Sequence, residues 1–280
     1  MFLAAGEFAW YVLPWNLLAL VWCLVSVMNY QMLMDTAIKV GEIMLSHGAE
    51  AHRVEDTVYR ILKTANLQTT EVFVIMTGLF ATLSDPSMET ITVTKRVRFK
   101  GNNLKQICYA NEISRKYCGG EVTLEQANEM AVKGYQWEYS HLVAILGNVM
   151  IITSFPLLVG GTLSDCGVAF LSSLIVGGSI FWADKIHMHP FLRDLAIAFL
   201  AAVTYVVFDW LFPFVIHQDA IMIACIMPLV PGVAITNAVR DTLNGDYVSG
   251  AARALEAFIK ALAIALGVGV GLMLLGGIGV

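Results

Sequence analysis

Residues 217–238 read HQDAIMIACIMPLVPGVAITNA. No charged side chain stands between Asp219 and Arg240, so the run is apolar enough to cross about 30 Å of hydrocarbon at about 1.5 Å per residue. It also holds Pro228 and Pro231, the latter followed directly by Gly232. Pro228 removes the helical bond to the carbonyl of Ala224, and Pro231 removes the bond to that of Met227. The spacing therefore predicts a membrane helix broken near mid-depth with two bare carbonyls. Bare carbonyls are tolerated there only where protein or a water-filled cavity satisfies them. Broken helices of this kind hold solutes, with half-helix N-termini facing anionic groups and freed carbonyls facing cations. A proline kink made for packing is the competing reading.

Just beyond the break, Asn237, Arg240 and Asp241 stand at i, i+3 and i+4 and share one helical face. Arg240 reads either as an anchor at the membrane surface, paired with Asp241 or Asp246, or as an entrance that attracts carboxylates. Further spans are expected near 142–162, 166–183, 192–212 and 252–275, which with 217–238 make five. The loop 184–193 carries Lys185 and Arg193, and the loop 239–251 carries Arg240, with Arg253 just past it. The loops 163–165 and 213–216 carry neither lysine nor arginine. Such alternation places the residues before the first span in the cytoplasm. Asn148 and Pro156, with Gly160 and Gly161, interrupt the first span and are candidates to face the same cavity as the break. Asp184 and Asp209 fall at membrane boundaries, where an interfacial role competes with proton carriage.

Composition agrees with this division. Of the 280 residues 58% are hydrophobic and 14% charged, with a mean hydropathy of +0.70, well above the apolar share of ordinary soluble domains. Twelve of the 17 lysines and arginines lie between Lys39 and Lys133. The expected architecture is an α+β domain over 31–138 followed by a five-helix transmembrane bundle over 139–280. An apolar segment, 1–30, precedes both. Its stretch Phe2–Met28 is broken by Glu7, Pro14 and Asn16 and lacks the basic start of a signal peptide. It reads as a membrane-associated helix, an extra span, or a non-native extension. A net charge of −5 and one short basic run, Lys95-Arg96-Val97-Arg98, give no support for a nucleic-acid partner. The five cysteines form no CxxC pair, so neither a disulfide framework nor a zinc site is expected.

In the charged half, Asp35 is positioned to cap a helix reaching about Ala65. Glu71–Leu83 and Thr90–Phe99, separated by Ser84-Asp85-Pro86-Ser87, read as a β-hairpin. Asn103–Tyr117 reads as a helix, and Thr123 with Gln126 as a capping box for another. The stretch 41–55, GEIMLSHGAEAHRVE, carries His47, Gly48, Glu50, Arg53 and Glu55. His47 and Glu50, and Glu50 and Arg53, are three apart, which on a helix makes a polar network. A hydrolase reading is weaker, because His47 and His52 are five apart and some 140° off one face, unlike the two ligands of HExxH. The sequence has no GxSxG elbow and no GxxxxGK[ST] phosphate loop. No cofactor, metal or catalytic residue is expected.

Two stretches resemble one family, the threonine/serine exporters of bacteria and fungi. The stretch 41–55 looks like that family's HGAE…RVE segment. Pro228-Leu229-Val230-Pro231-Gly232, continuing through Asn237, Arg240, Asp241, Gly245, Asp246, Ser249, Gly250, Arg253 and Glu256, is similar to its signature around the fourth span. The resemblance covers roughly 35–275. It implies export of a small polar metabolite, threonine or serine or a C4 dicarboxylate, across a bacterial cytoplasmic (inner) membrane. It also implies a soluble cytoplasmic domain that gates or supports the pathway. Full-length members carry about ten spans, so the chain resembles the large subunit of the split form. Its partners would then be a small membrane subunit of four to five spans, or further copies of itself. An integral-membrane hydrolase and a non-transporting sensor or scaffold subunit are the alternatives.

Overall fold

The computed structural model describes residues 15–98, 101–135, 140–211 and 217–276. Of the apolar N-terminal segment, residues 1–14 lie outside these, and the chain is already helical at Trp15. Helix α1 runs Trp15–Ser46, straight through Asp35. That residue does not cap; its carboxylate accepts a hydrogen bond from Gln31 one turn earlier, at 3.3 Å. The helix expected to continue to Ala65 instead stops at Ser46 and restarts as α2, Ala51–Lys63. Gly48 is the reason. Its φ of +90° is open to glycine at little cost. The Ala49 N–H reaches the Met44 carbonyl at 3.1 Å and the Gly48 N–H the Leu45 carbonyl at 3.3 Å, the paired bonds of a glycine-terminated helix.

Three antiparallel strands follow in the order β1 (Thr69–Ile75), β2 (Gly78–Asp85) and β3 (Met88–Arg96). The expected strand Glu71–Leu83 is two strands, because the chain reverses at Met76–Thr77, where Ile75 pairs with Gly78. β2 turns Leu79, Ala81 and Leu83 inward. Outward it carries Thr82 and Ser84, which bond across to Thr92 at 3.0 Å and Thr90 at 2.8 Å. At the β2–β3 turn Asp85 accepts from the Ser87 hydroxyl and N–H, which hold its carboxyl below the usual range. Helix α3 (Leu104–Cys118) is capped by Asn103, and α4 (Leu124–Lys133) by the Thr123/Gln126 capping box expected from the sequence. Met34, Val40, Met44, Val58, Ile61, Leu62, Leu79 and Ile113 form one buried core, each worth about 1.5–3 kcal/mol in transfer energy. Gly41 keeps α1 close to α2, since a Cβ there would lie 2.7 Å from Val58.

The second part of the chain is all helix: α5 (His141–Leu158), α6 (Leu163–Lys185), α7 (Pro190–Leu211), α8 (Gln218–Ile226), a 3₁₀ turn (Met227–Leu229), α9 (Gly232–Leu243) and α10 (Tyr247–Gly276). The two compact units are Met1–Tyr135 and Gln136–Val280. Among the described residues, α6, α7 and α10 are each long and apolar enough to cross a membrane. The pair α8 with its 3₁₀ turn and α9 qualifies as a fourth if counted as one bent span. Helix α5, expected as a span over 142–162, is a shorter apolar helix of 18 residues, about 27 Å long. It ends where Gly160 turns at φ +85°.

Polarity in this unit is inverted relative to a water-soluble fold. Leu171, Leu174, Trp182, Leu262, Leu266 and Met273 are exposed, while Asp165, Ser172, Asp194, Asp241 and Arg253 are buried. That distribution suits hydrocarbon outside and partnered polar groups inside. Helices α7 and α10 pack through small residues. A Cβ on Gly267 would lie 2.4 Å from the Leu195 carbonyl, and one on Gly271 2.6 Å from Ala202. Close approach of this kind holds membrane helices together, where lipid offers little hydrophobic drive.

Candidate functional site

Pro228 opens the 3₁₀ turn, and Pro231 (φ −80°, ψ 49°) precedes α9 in an inverse γ-turn closed by the Gly232 N–H on the Val230 carbonyl at 2.9 Å. The two half-helices meet at 62°. The expectation of bare carbonyls at Ala224 and Met227 does not hold. The Met227 N–H bonds to Ala224, and the Val230 N–H bonds to Met227 at 3.2 Å. The tighter i→i+3 geometry of the turn re-satisfies what the prolines remove. Helix α9 starts at Pro231 without a side-chain cap. Thr236 returns its hydroxyl to the Gly232 carbonyl at 2.9 Å.

Beyond the break the structure assembles the corner between α9 and α10. Asp241 is fully buried and accepts from Arg253 Nε at 2.9 Å, and Arg253 is itself 5% exposed. Asp241 thus pairs across the turn with Arg253, while Arg240, its neighbour, lies on the exposed side of α9. Asn237 and Ser249 are buried in the same corner. Gly250 allows the approach: a Cβ there would meet Thr242 Oγ1 at 2.2 Å.

Asn148 lies near the middle of α5 and Pro156 in its last turn. Asn148 lines a cavity of about 470 Å³ between α5 and α6, together with Gly177, Phe181, Asp184, Lys185 and His187. Pro156 sits in the α5–α6 corner, where its carbonyl accepts from Val159 and Gly161. In that corner Asp165, fully buried, accepts from the Thr162 N–H (2.6 Å) and hydroxyl (2.8 Å) and from the His217 N–H (2.7 Å) and Nδ1–H (2.9 Å). The sequence reading missed this knot, although Thr162 and Asp165 have capping-box spacing. At the other end of α6, Arg193 donates to Asp184 at 2.9 Å and to buried Asp194 at 3.0 Å. None of Pro228, Pro231, Gly232, Asn237, Arg240 and Asp241 lines the Asn148 cavity.

In the first unit the residues expected on one polar helix face occupy a turn and the start of α2. The proton on His47 Nδ1 is directed to the Ile43 carbonyl, 2.8 Å away, and the His47 carbonyl accepts from Asn103 at 3.2 Å, tying the turn to α3. Gly48 is buried in the turn, Glu50 stands at the N-cap of α2, and Arg53 is exposed. Glu55 lines a separate cavity of about 290 Å³ with His52, Asp56 and Glu71. His47 is not part of it, and no metal-ligating group of three occurs among the described residues.

Both the HGAE turn and the broken helix lie within residues 35–275, the stretch matched by the sequence model of the family described as "Putative threonine/serine exporter". The chain belongs to the threonine/serine exporter family. A threonine/serine exporter of Corynebacterium glutamicum is 22% identical to it over 248 residues, 86% of this chain and 51% of the relative. A probable threonine/serine exporter of Mycobacterium tuberculosis is 21% identical over 84% of this chain and 45% of its own. An uncharacterized protein of Schizosaccharomyces pombe is 22% identical over 90% and 31% respectively. The chain spans about half, or less, of the length of these curated relatives. No solved structure is significantly similar.

The threonine/serine exporters are transporters rather than enzymes, and the hydrolase alternative falls with that membership. The exposed apolar helices of the second unit fit a multi-pass membrane protein of this family. Asp241 and Arg253 both lie within the stretch matched by the family model, and their bond joins two helices.

Proposed function

We propose that the chain forms a transmembrane half of a secondary exporter for small polar, carboxylate-bearing metabolites, threonine and serine foremost, with its bent helix pair as part of the pathway. The observation that carries this is the 62° break between two apolar half-helices inside the stretch matched by an exporter family. The uncapped start of α9 supplies the positive end of a half-helix dipole, suited to a carboxylate. In this reading α5, α6, α7, the α8–α9 pair and α10 are five spans. Lys185 and Arg193 lie at the α6–α7 turn and Arg240 and Arg253 at the α9–α10 corner, a distribution that supports a cytoplasmic side for those turns and for the first unit, in a bacterial inner membrane. The turn built on His47, Gly48, Glu50, Arg53 and Glu55 gates or supports the pathway. The curated relatives are about twice as long or longer. In this reading the working unit includes a second membrane portion, supplied by the same polypeptide, by a small separate subunit or by a further copy.

The test is export. Cells expressing the chain with its membrane partner and loaded with threonine or serine dipeptides should release the free amino acid faster than control cells. Loading with succinate asks whether a dicarboxylate is carried instead. Equal release with and without the chain for all three solutes would overturn the proposal.

A further inference from the structure

Helix α1 buries Met34, Ala37 and Ile38 in the core of the first unit and turns Gln31 and Asp35 outward. On the outward side Gln31, Met32, Asp35 and Lys39 line a cavity of about 420 Å³, with Asn128 and Val132 of α4 as its other wall. That volume is within the usual range for small-molecule sites. None of these residues belongs to the HGAE turn or to the second unit.

Asp35 and Lys39 stand at i and i+4 with the acid first, the order in which a helix best pairs two such charges. They are not paired with each other. Asp35 Oδ1 accepts from Gln31 Nε2 at 3.3 Å. Lys39 Nζ lies 3.7 Å from Glu42, which Lys95 approaches more closely, at 3.3 Å. Both contacts are longer than a normal charge-assisted hydrogen bond. A carboxylate and an ammonium thus line one cavity, about 6 Å apart along the helix axis. Across from them the Asn128 amide makes no hydrogen bond among the described residues.

An α-amino acid carries the complementary charges. Its ammonium and carboxylate hang from one carbon, about 2.5 Å apart. With a charge-assisted bond of about 2.8 Å at each end, the span is about 8 Å, within reach of two flexible side chains one turn apart. A dicarboxylate would set an anion against Asp35, and a diamine would set a cation against Lys39. We propose that this cavity binds a free α-amino acid zwitterion, its ammonium on Asp35, its carboxylate on Lys39 and a short polar side chain facing the Asn128 amide. The site goes beyond the exporter reading above, because it lies apart from the path placed in the second unit. Such a site reads the concentration of a solute without carrying it.

The experiment uses the full chain in detergent, with the five native cysteines replaced by alanine and Val132→Cys introduced at the rim of the cavity, where the side chain is exposed. Leu104→Cys, exposed on α3 and no part of the cavity, is the control. The probe is a permanently charged methanethiosulfonate. L-threonine should slow the reaction at Val132→Cys in a saturable way and leave Leu104→Cys unchanged. Asp35→Asn and Lys39→Met, each combined with Val132→Cys, should raise the half-protecting concentration about tenfold or more. Both replace partly exposed side chains by ones of similar size, so the melting temperature should stay within a few degrees. N-acetyl-L-threonine and L-threonine methyl ester, each lacking one charge, should protect far less than threonine. Absence of protection, protection that survives both substitutions, or equal protection by the two capped derivatives would overturn the proposal. Protection that depends on Asp35 and Lys39, in a chain that releases no threonine from loaded cells, would sink the export reading and leave this site standing. Release of threonine without such protection would do the reverse.

Discussion

Removing the charge at Asp241 tests whether the corner beyond the break is held by its buried ion pair. Asp241 is fully buried and Arg253 nearly so, with Nε and Oδ2 2.9 Å apart. Asp241→Asn leaves a buried guanidinium without its counter-charge, a defect that costs about 3–5 kcal/mol. Arg253→Met leaves the carboxylate stranded and should cost about the same. The double substitution Asp241→Leu with Arg253→Met removes both charges and restores apolar contact, a change often neutral or stabilising. For a unit of roughly 150 residues each single defect should lower the melting temperature by about 10 °C. The double variant should return to within a few degrees of wild type, a large coupling between the two sites. Fluorescence-detected size-exclusion melts in detergent read this directly, with membrane yield as a check on insertion. If both single variants melt with the wild type, or the double variant is as poor as the worse single, the pair does not hold the corner together.

Three further outcomes are expected. Pro228→Ala with Pro231→Ala should straighten the α8–α9 pair and reduce export steeply while the melting temperature holds or rises, because interior proline costs about 3 kcal/mol relative to alanine; a parallel fall in both would make the prolines packing elements. Gly267→Val should force α7 from α10, since even a Cβ lies 2.4 Å from the Leu195 carbonyl, and should lower the melting temperature markedly, whereas wild-type melting would show that the seam can give. In a cysteine-free background Leu163→Cys should react with an impermeant thiol reagent applied outside and His187→Cys only after permeabilisation, and the opposite pattern would reverse the proposed topology.

What could be read without coordinates was local chemistry. Thr123 and Gln126 announce their capping box because both partners lie within one turn, and Pro228 and Pro231 announce a break because a missing N–H is a property of the residue. What failed depended on how backbone geometry reassigns bonds. The break was foreseen and its bare carbonyls were not found, because a 3₁₀ turn returns partners to Ala224 and Met227. Gly48 sat inside an apolar pattern that suits one continuous helix, and only its left-handed φ shows that the pattern belongs to two. Pairings across the fold left no trace in spacing. Asp241 finds Arg253 twelve residues on, and Asp165 finds His217 fifty-two residues on. A long-range bond is a consequence of packing, so the nearest opposite charge in the sequence is a poor guide to the partner in space.

The distribution of satisfied and unsatisfied polar groups says where the second unit can move. Lipid gives helices little reason to associate, so membrane bundles rely on close packing and on polar bonds between helices. Here the partnered charges cluster at helix ends. Asp165 and His217 join the starts of α6 and α8, Arg193 ties the start of α7 to Asp184 at the end of α6, and Arg253 ties α10 to α9. Close helix packing fixes α10 on α7. Between these fixed ends lies the bent turn at Met227–Leu229, held among the described residues by short-range backbone hydrogen bonds. Shifting the turn against α5 and α6 breaks no ion pair named above. Shifting the start of α6 or the α9–α10 corner would strand the buried charge of Asp165 or Asp241 at about 3–5 kcal/mol. Movement at low cost therefore falls to the bent turn, and a solute with different affinity for two arrangements of it would favour one over the other.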